Sequence, residues 1–323
     1  MDDIDNDILA IGEPLLEFNA RAEGREPVGP DGLDDGYAVG YGGDSSNFAV
    51  AARRSGARTG YVTRIGDDDF GDALLRLWRR EGVGTEHVVR EAGGRTGIYF
   101  IARTPAASRF TYYRADSPAS RLAPADVPAA AVARARMLHV TGITQAISPS
   151  ACDAAFHAME LARGSGTLIS YDPNYRPALW PVERARAVVM HSVELSDVAL
   201  PNLEEGRLLT GLHEPGEVLD AFVRRGPGIV VLKMGDQGAL LAHEGTVTRI
   251  PPHPVRAVDP SGAGDTFDGA FAARLLEGAG PPAAARYAAV AAALTTTGPG
   301  AVLPIPHSTA VDALLPGAPT PAP

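Results

Sequence analysis

The chain predicts an α/β fold, with a mostly parallel central sheet wrapped by helices and a small β-rich lid beside it. Three observations carry that prediction. Short apolar runs alternate with helix-period segments for most of the length, the pattern of stacked βα units. Two segments, 13–41 and 95–114, break that rhythm. A length of 323 residues is enough for one large domain with a substantial core. One domain over 1–315 is therefore expected, with the lid formed by 13–41 and 95–114, and the Pro-rich tail 316–323 reads as disordered.

In chain order, the apolar run 8–11 reads as the first strand and 47–54 as the first helix. Segment 13–41 holds glycines, acids and short apolar pieces such as GYAVGY. Strand 59–63 follows, then helix 70–81, where Phe70, Leu74, Leu77 and Trp78 share one face. Segment 95–114 reads as two strands, TGIYFIA and SRFTYYR, and adjacent Tyr112 and Tyr113 must face opposite sides. The βα rhythm then resumes: strands 137–140, 167–171, 198–200 and 229–232 interleave with helices 149–163, 181–195 and 203–210. The alanine-rich 282–296 reads as a buried helix.

The stretch VDPSGAGDTFDGAF, 258–271, carries the strongest chemical signal. Phe267, Ala270, Phe271 and Leu275 recur at helical spacing, so Gly262, Ala263 and Gly264 fall at a helix N-terminus, where free N–H groups and the macrodipole favour an anion. Asp265 beside them reads either as a general base that takes a proton from an attacking hydroxyl or as a helix cap. An anion hole next to a base suits phosphoryl transfer.

The net charge of −10 argues against nucleic acid or an anionic membrane surface as partner and favours a small soluble substrate. Cys152 is the only cysteine, which excludes an intrachain disulfide and a Cys-rich metal site. The start MDDIDNDILAIG is acidic and lacks the basic, apolar pattern of a signal peptide, so a cytoplasmic location is expected. A homo-oligomer is compatible with all of this. Lys233, in VVLKMG, is the only lysine.

GGDSSNFAVAARRSG at 42–56, RIGDDDFGDAL at 64–74 and DPSGAGDTFDGAF at 259–271 together resemble the signatures of the ribokinase-like (phosphofructokinase B) sugar kinases, over about residues 8–303. Within that family, GEPLLEF at 12–18, FTYYRADSPAS at 110–120, HVTGIT at 139–144 and YDPNYRPALW at 171–180 look most like 2-keto-3-deoxygluconate kinases. The resemblance implies a three-layer α/β/α domain and an ATP- and Mg²⁺-dependent kinase, with Asp265 as base and Gly262, Ala263 and Gly264 around the transferring phosphate.

It also implies that Asn202 and Glu205, in PNLEE, help place phosphate and, with Glu205 acting through water, Mg²⁺; a helix cap explains Asn202 equally well. Lys233, Gly235 and Gly238 correspond to the nucleotide-binding turn, a segment that also reads as a tight turn between strands 229–232 and 239–242. The sugar contacts fall on Gly43, Asn47, Tyr99, Tyr112, Arg114 and Arg176. Two arginines suit a sugar acid, because guanidinium pairs bidentately with carboxylate; their other reading is surface ion pairing. Two positions depart from the pattern. Pro260 lacks an N–H, which counts against the monovalent-cation (K⁺) site some relatives build there, and Ala289 stands where many place an asparagine near adenine. Alternatives are a kinase of fructose or 5-keto-2-deoxygluconate, or a sugar-acid sensor without turnover, for which an intact GAGD would serve no purpose.

Overall fold

The computed structural model describes residues 6–20, 36–103 and 108–315; the tail 316–323 and parts of both lid segments lie outside the described residues. The strands are β1 (Ile8–Ile11), β2 (Leu15–Ala20), β3 (Tyr37–Gly42), β4 (Thr59–Gly66), β5 (Val88–Glu91), β6 (Ile98–Arg103), β7 (Ser108–Tyr113), β8 (Met137–Thr141), β9 (Leu168–Asp172), β10 (Val198–Ala199), β11 (Ile229–Lys233), β12 (Ala239–His243) and β13 (Thr246–Ile250). The helices are α1 (Asp44–Arg54), α2 (Asp69–Glu81), α3 (Ala129–Arg134), α4 (Gly142–Ala146), α5 (Pro149–Ser165), α6 (Val182–Leu195), α7 (Leu203–Thr210), α8 (Pro215–Val223), α9 (Ala263–Glu277), α10 (Pro281–Thr295) and α11 (Ser308–Asp312).

The main sheet runs β13-β12-β11-β10-β9-β8-β1-β4-β5. Its pairs from β11 through to β5 are parallel, and only β12 and β13, joined to β11 by tight turns, are antiparallel. A second sheet, β3-β2-β6-β7, stands apart and is built from the two segments that break the βα rhythm.

Successive residues of β1 feed opposite faces, as a strand must. Leu9 and Ile11 pack with Ala154, Ala158, Val189 and Val193 from α5 and α6, whereas Ile8 and Ala10 pack with Phe48, Leu74, Trp78 and Ala272 from α1, α2 and α9. That is the three-layer arrangement. A third cluster joins β11 and β12 to α9 and α10 through Val231, Leu241, Phe271 and Ala288. Burial of Trp78 also satisfies its indole, whose Nε1–H donates to Ser46 Oγ at 3.0 Å.

The helix ends follow local chemistry. Asp68 caps α2 by accepting the Gly71 N–H, and Gly82 ends it in the left-handed conformation. Helix α1 starts three residues before the predicted 47, because Gly43 at φ 94° turns the chain sharply out of β3. A Cβ at Gly43 would lie 2.3 Å from the Glu13 carbonyl oxygen, so only glycine fits there. The carboxyl ends of β1, β9 and β11 deliver Glu13, Asp172 and Lys233 to the same rim, where open α/β sheets place ligands.

Candidate active site

One cavity of about 1210 Å³ opens at that rim and is bordered by the second sheet. Every candidate site residue expected from the sequence lines it: Gly43, Asn47, Tyr99, Tyr112, Arg114, Arg176, Asn202, Glu205, Lys233, Gly235, Gly238, Gly262, Ala263, Gly264 and Asp265. Residues from both ends of the chain thus converge on one volume.

At its centre is the N-terminus of α9. Gly262 sits at φ 73°, and a Cβ there would lie 2.5 Å from the Ala301 carbonyl oxygen. The turn does not present all three of the expected N–H groups equally: the Ala263 N–H donates to the Pro260 carbonyl at 3.3 Å. The first-turn amides of Gly264 and Asp265 are those a helix leaves without an internal acceptor. Asp265 Oδ2 accepts a hydrogen bond from Asn47 Nδ2 at 2.8 Å. Burial, reinforced by the nearby Asp44 carboxylate and opposed by the Asn47 hydrogen bond, pushes the Asp265 carboxyl up to about 7. Asn47, expected on the sugar, orients this acid.

Asp259 turns both carboxylate oxygens onto backbone amides, those of Ser261 at 3.0 Å and Gly300 at 3.1 Å. It braces the turn before α9.

The second sheet supplies the opposite wall. Tyr99 and Tyr112 stack with centroids 5.4 Å apart, Phe110 joins them at 6.4 Å from each, and the Arg114 guanidinium lies 5.4 Å from the Tyr112 ring. Tyr113, on the other face of β7, meets Phe100 edge-on and is not part of the cavity wall. The Tyr99 hydroxyl donates to Glu17. Arg114 pairs with Glu13, whose side chain is 0% exposed, while Arg114 Nε is buried with no partner. That guanidinium is thus anchored on one edge and has a donor to spare on another.

Arg176 is also engaged. Its Nη1 donates to Glu205 Oε1 and to the Tyr175 carbonyl, each at 3.1 Å, and its side chain is 48% exposed. Asn202 caps α7 by accepting the Glu205 N–H at 2.9 Å, so the cap reading holds, and the cap fixes Glu205. Burial and the Asp172 carboxylate raise Glu205 to about 7 against the pull of Arg176, and its Oε2 is buried without a partner.

Lys233, expected on the nucleotide, lines the cavity but turns its ammonium inward, to Asp268 at 2.9 and 2.8 Å and to Asp172 at 3.2 Å. Burial disfavours the charge, yet the two carboxylates outweigh it and hold the ammonium above its usual range. A Cβ on Gly264 would lie 3.8 Å from Nζ, so this cation sits directly behind the α9 turn.

Sequence reasoning missed Glu13, Asp44, Asp172 and Asn174, all buried and all on the cavity wall. Each stands inside a stretch that the motifs single out, in GEPLLEF, GGDSSN and YDPNYRP. The rest of the wall is largely apolar, from Pro252, Pro254, Val255, Ala257, Ala289, Ala292 and Ala293. Among the described residues, no group of three or more His, Cys, Asp or Glu side chains is placed to hold a metal ion by itself, and no helix is long and apolar enough to cross a membrane.

Comparison with known proteins identifies the family. Residues 5–308 match the model of the pfkB family carbohydrate kinases. The chain is 34% identical over 307 residues to a 2-dehydro-3-deoxygluconokinase of Thermoproteus tenax, covering 93% of this chain and 92% of that one. It is 30% identical over 310 residues to fructokinase-1 of Oryza sativa subsp. japonica, covering 93% and 94%. Its fold superposes with a TM-score of 0.86 on a putative ribokinase II from E. coli in complex with ATP and Mg²⁺, at 25% identity and covering 95% and 98%. The chain belongs to the pfkB family of carbohydrate kinases.

Proposed function

We propose that this kinase transfers the γ-phosphoryl group of ATP to the C6 hydroxyl of 2-keto-3-deoxygluconate, giving 2-keto-3-deoxy-6-phosphogluconate and ADP. The observation that carries the reading is Asp265, a part-buried carboxyl brought to about 7 in the first turn of α9 and sharing one cavity with Arg114. A base poised near neutral pH is what proton abstraction from a primary hydroxyl needs.

Asp265 takes the hydroxyl proton as the sugar oxygen attacks the γ-phosphorus in line. The bond from that phosphorus to the β–γ bridging oxygen breaks, and its electrons leave with ADP. The α9 amides and the Lys233 ammonium behind them lower the energy of the charge that spreads over the phosphoryl oxygens. The apolar wall from Pro252 to Ala293 gives an adenine ring a surface to pack on, and an alanine at 289 in place of an asparagine leaves fewer groups to select the base.

The unpartnered Glu205 Oε2 fits Mg²⁺ held mainly by phosphate and water, since this ion keeps several waters and uses few protein carboxylates. When bound, Mg²⁺ neutralises charge on the phosphates. Glu205, fixed by the Asn202 cap and Arg176, is the residue that would hold it, through water. At the other end, the spare Nε of Arg114 and the Tyr99–Tyr112 stack favour a planar carboxylate. Strands β2, β3, β6 and β7 act as a lid that keeps water from the γ-phosphate.

One observation favours a second reading: both arginines already carry a carboxylate partner, so a neutral ketohexose would leave no cation unpaired. Release of ADP by the purified protein, measured across acidic and neutral sugars, separates the two. The first reading requires kcat/KM for 2-keto-3-deoxygluconate to exceed that for fructose and 5-keto-2-deoxygluconate.

A further inference from the structure

Lys233 and Asp172 line the cavity, but Asp268, one helical turn after Asp265 on α9, does not; it is 1% exposed and stands behind the wall. The Lys233 ammonium donates to both Asp268 oxygens, at 2.9 and 2.8 Å, and to one oxygen of Asp172, at 3.2 Å. The other Asp172 oxygen accepts the Asn174 N–H at 3.1 Å. One ammonium thus serves two buried acids, and the acid outside the cavity holds it with both oxygens. A lysine has a flexible stem and three rotatable donors, so what fixes its ammonium is the acceptor that grips it best.

Asp265 is the competing acceptor. It is faced by Asp44 and Asn47 from α1, Tyr99 from β6, Asp172 from β9, Arg176 from the loop after β9 and Lys233 from β11. Glu205 from α7 engages Arg176, and His139 from β8, which also faces Asp172 and Lys233, is held neutral by burial. That leaves Lys233 as the cation that could neutralise the base. An ammonium brought onto Asp265 would favour its ionised form and weaken it as a proton acceptor. Behind the turn, the same charge acts on the phosphoryl group past Gly264, where a Cβ would lie 3.8 Å from Nζ.

Resting on the kinase reading, we infer that Asp268 is a positioning residue for phosphoryl transfer: it tethers the chain's only lysine beneath the α9 turn and so keeps that cation off the base. Burial and the Asp172 carboxylate push the Asp268 carboxyl up against the pull of the ammonium, so the tether needs the lysine as much as the lysine needs the tether. The i, i+3 spacing on α9 sets the reacting acid in the first turn and the restraining acid in the next.

The test uses Asp268→Asn, nearly isosteric with the native side chain but offering one acceptor in place of two and an amide donor that repels an ammonium. The acid limb of kcat/KM, near pH 7 in the wild type, should fall by about 1 pH unit, and kcat by roughly 10-fold. In the Lys233→Met background the same substitution should leave the limb where it is. A limb that stays put in Asp268→Asn, or that falls as far in the Lys233→Met background, overturns the assignment. A second readout needs no turnover. With one lysine in the chain, ¹³Cε-lysine labelling gives a single side-chain resonance. In Asp268→Asn this resonance should shift as Asp265 ionises between about pH 6 and 8.5, and the Asp265→Asn, Asp268→Asn double variant should lose that shift. In the wild type it should hold nearly still over that range and on adding ATP with Mg²⁺. Equal behaviour in wild type and Asp268→Asn overturns the tether, and so does a large shift of the wild-type resonance with ATP, a result that requires no variant to fold. The resonance decides even when no sugar is phosphorylated, the outcome that would sink the kinase reading instead.

Discussion

Replacing Asp265 with asparagine should disable the enzyme and stabilise the fold, and both effects follow from one part-buried carboxyl. The native group is raised from 3.8 to about 7, so ionising it inside the protein costs more than ionising it in the unfolded chain. Stability is therefore fullest below the unfolded value and declines as pH rises toward about 7, above which the loss is constant. The substituted amide cannot ionise, and its oxygen can still accept from Asn47 Nδ2. At about 1.4 kcal/mol per pH unit, the stability advantage of Asp265→Asn should grow by roughly 2 kcal/mol between about pH 5.5 and 8.5, seen as a rise in relative Tm of a few degrees. Loss of a general base should lower kcat by ~10²-fold or more with a small change in sugar KM. Thermal melts at both pH values and a coupled ADP assay read the two effects. A variant turning over at more than a tenth of the normal rate refutes the base, and a stability gain that is the same at both pH values refutes the raised carboxyl.

Lys233→Met should lower stability by about 3–5 kcal/mol, because it strands Asp172 and Asp268 without their cation; a normal melt with a raised KM for ATP would instead place Lys233 on the nucleotide. Arg114→Lys keeps a charge beside buried Glu13 but loses the spare Nε, so KM for the sugar acid should rise roughly 10-fold or more while fructose changes several times less. Arg176→Ala, at a half-exposed side chain, should fold normally and damage kcat along with sugar KM, since it also releases Glu205; equal damage to acidic and neutral sugars by both arginine variants argues against a carboxylate clamp. Hydrogen exchange in β2, β3, β6 and β7 should slow on adding sugar, and no change in these strands would rule out lid closure.

The βα rhythm is legible because each parallel strand is buried on both faces and so reads as a plain apolar run, as in Ile8–Ile11 and Ile229–Lys233. The edge is less so. In β13, TVTRI, only Ile250 is fully buried, and α8 begins at a proline in PGEVLDAFV, so neither stands out by periodicity. The two irregular segments announce a separate sheet, but the parallel pairing of β2 with β6, distant in the chain, is a tertiary fact. At the site, GAGD is readable because small residues directly before a helix-period run mark a helix N-terminus open to an anion. Glu13, Asp44 and Asp172 stay hidden because an acidic residue in a loop or at a strand end ordinarily faces water, and only the fold shows these three buried. The inward pairing of Lys233 is hidden for a related reason: a lone lysine at a strand end suggests a ligand, and its partners Asp172 and Asp268 are distant in sequence.

If Arg114 holds a sugar acid while Asp265 activates its far hydroxyl, both the choice of sugar and the carbon phosphorylated are fixed. The deciding measurement is the ADP released from ATP and Mg²⁺ by the purified protein over a panel of 2-keto-3-deoxygluconate, 5-keto-2-deoxygluconate and fructose, with the phosphorylated carbon identified by NMR. The expected result is the highest kcat/KM for 2-keto-3-deoxygluconate, with phosphate on C6. A preference for fructose, or phosphate on any other carbon of the sugar acid, would contradict it.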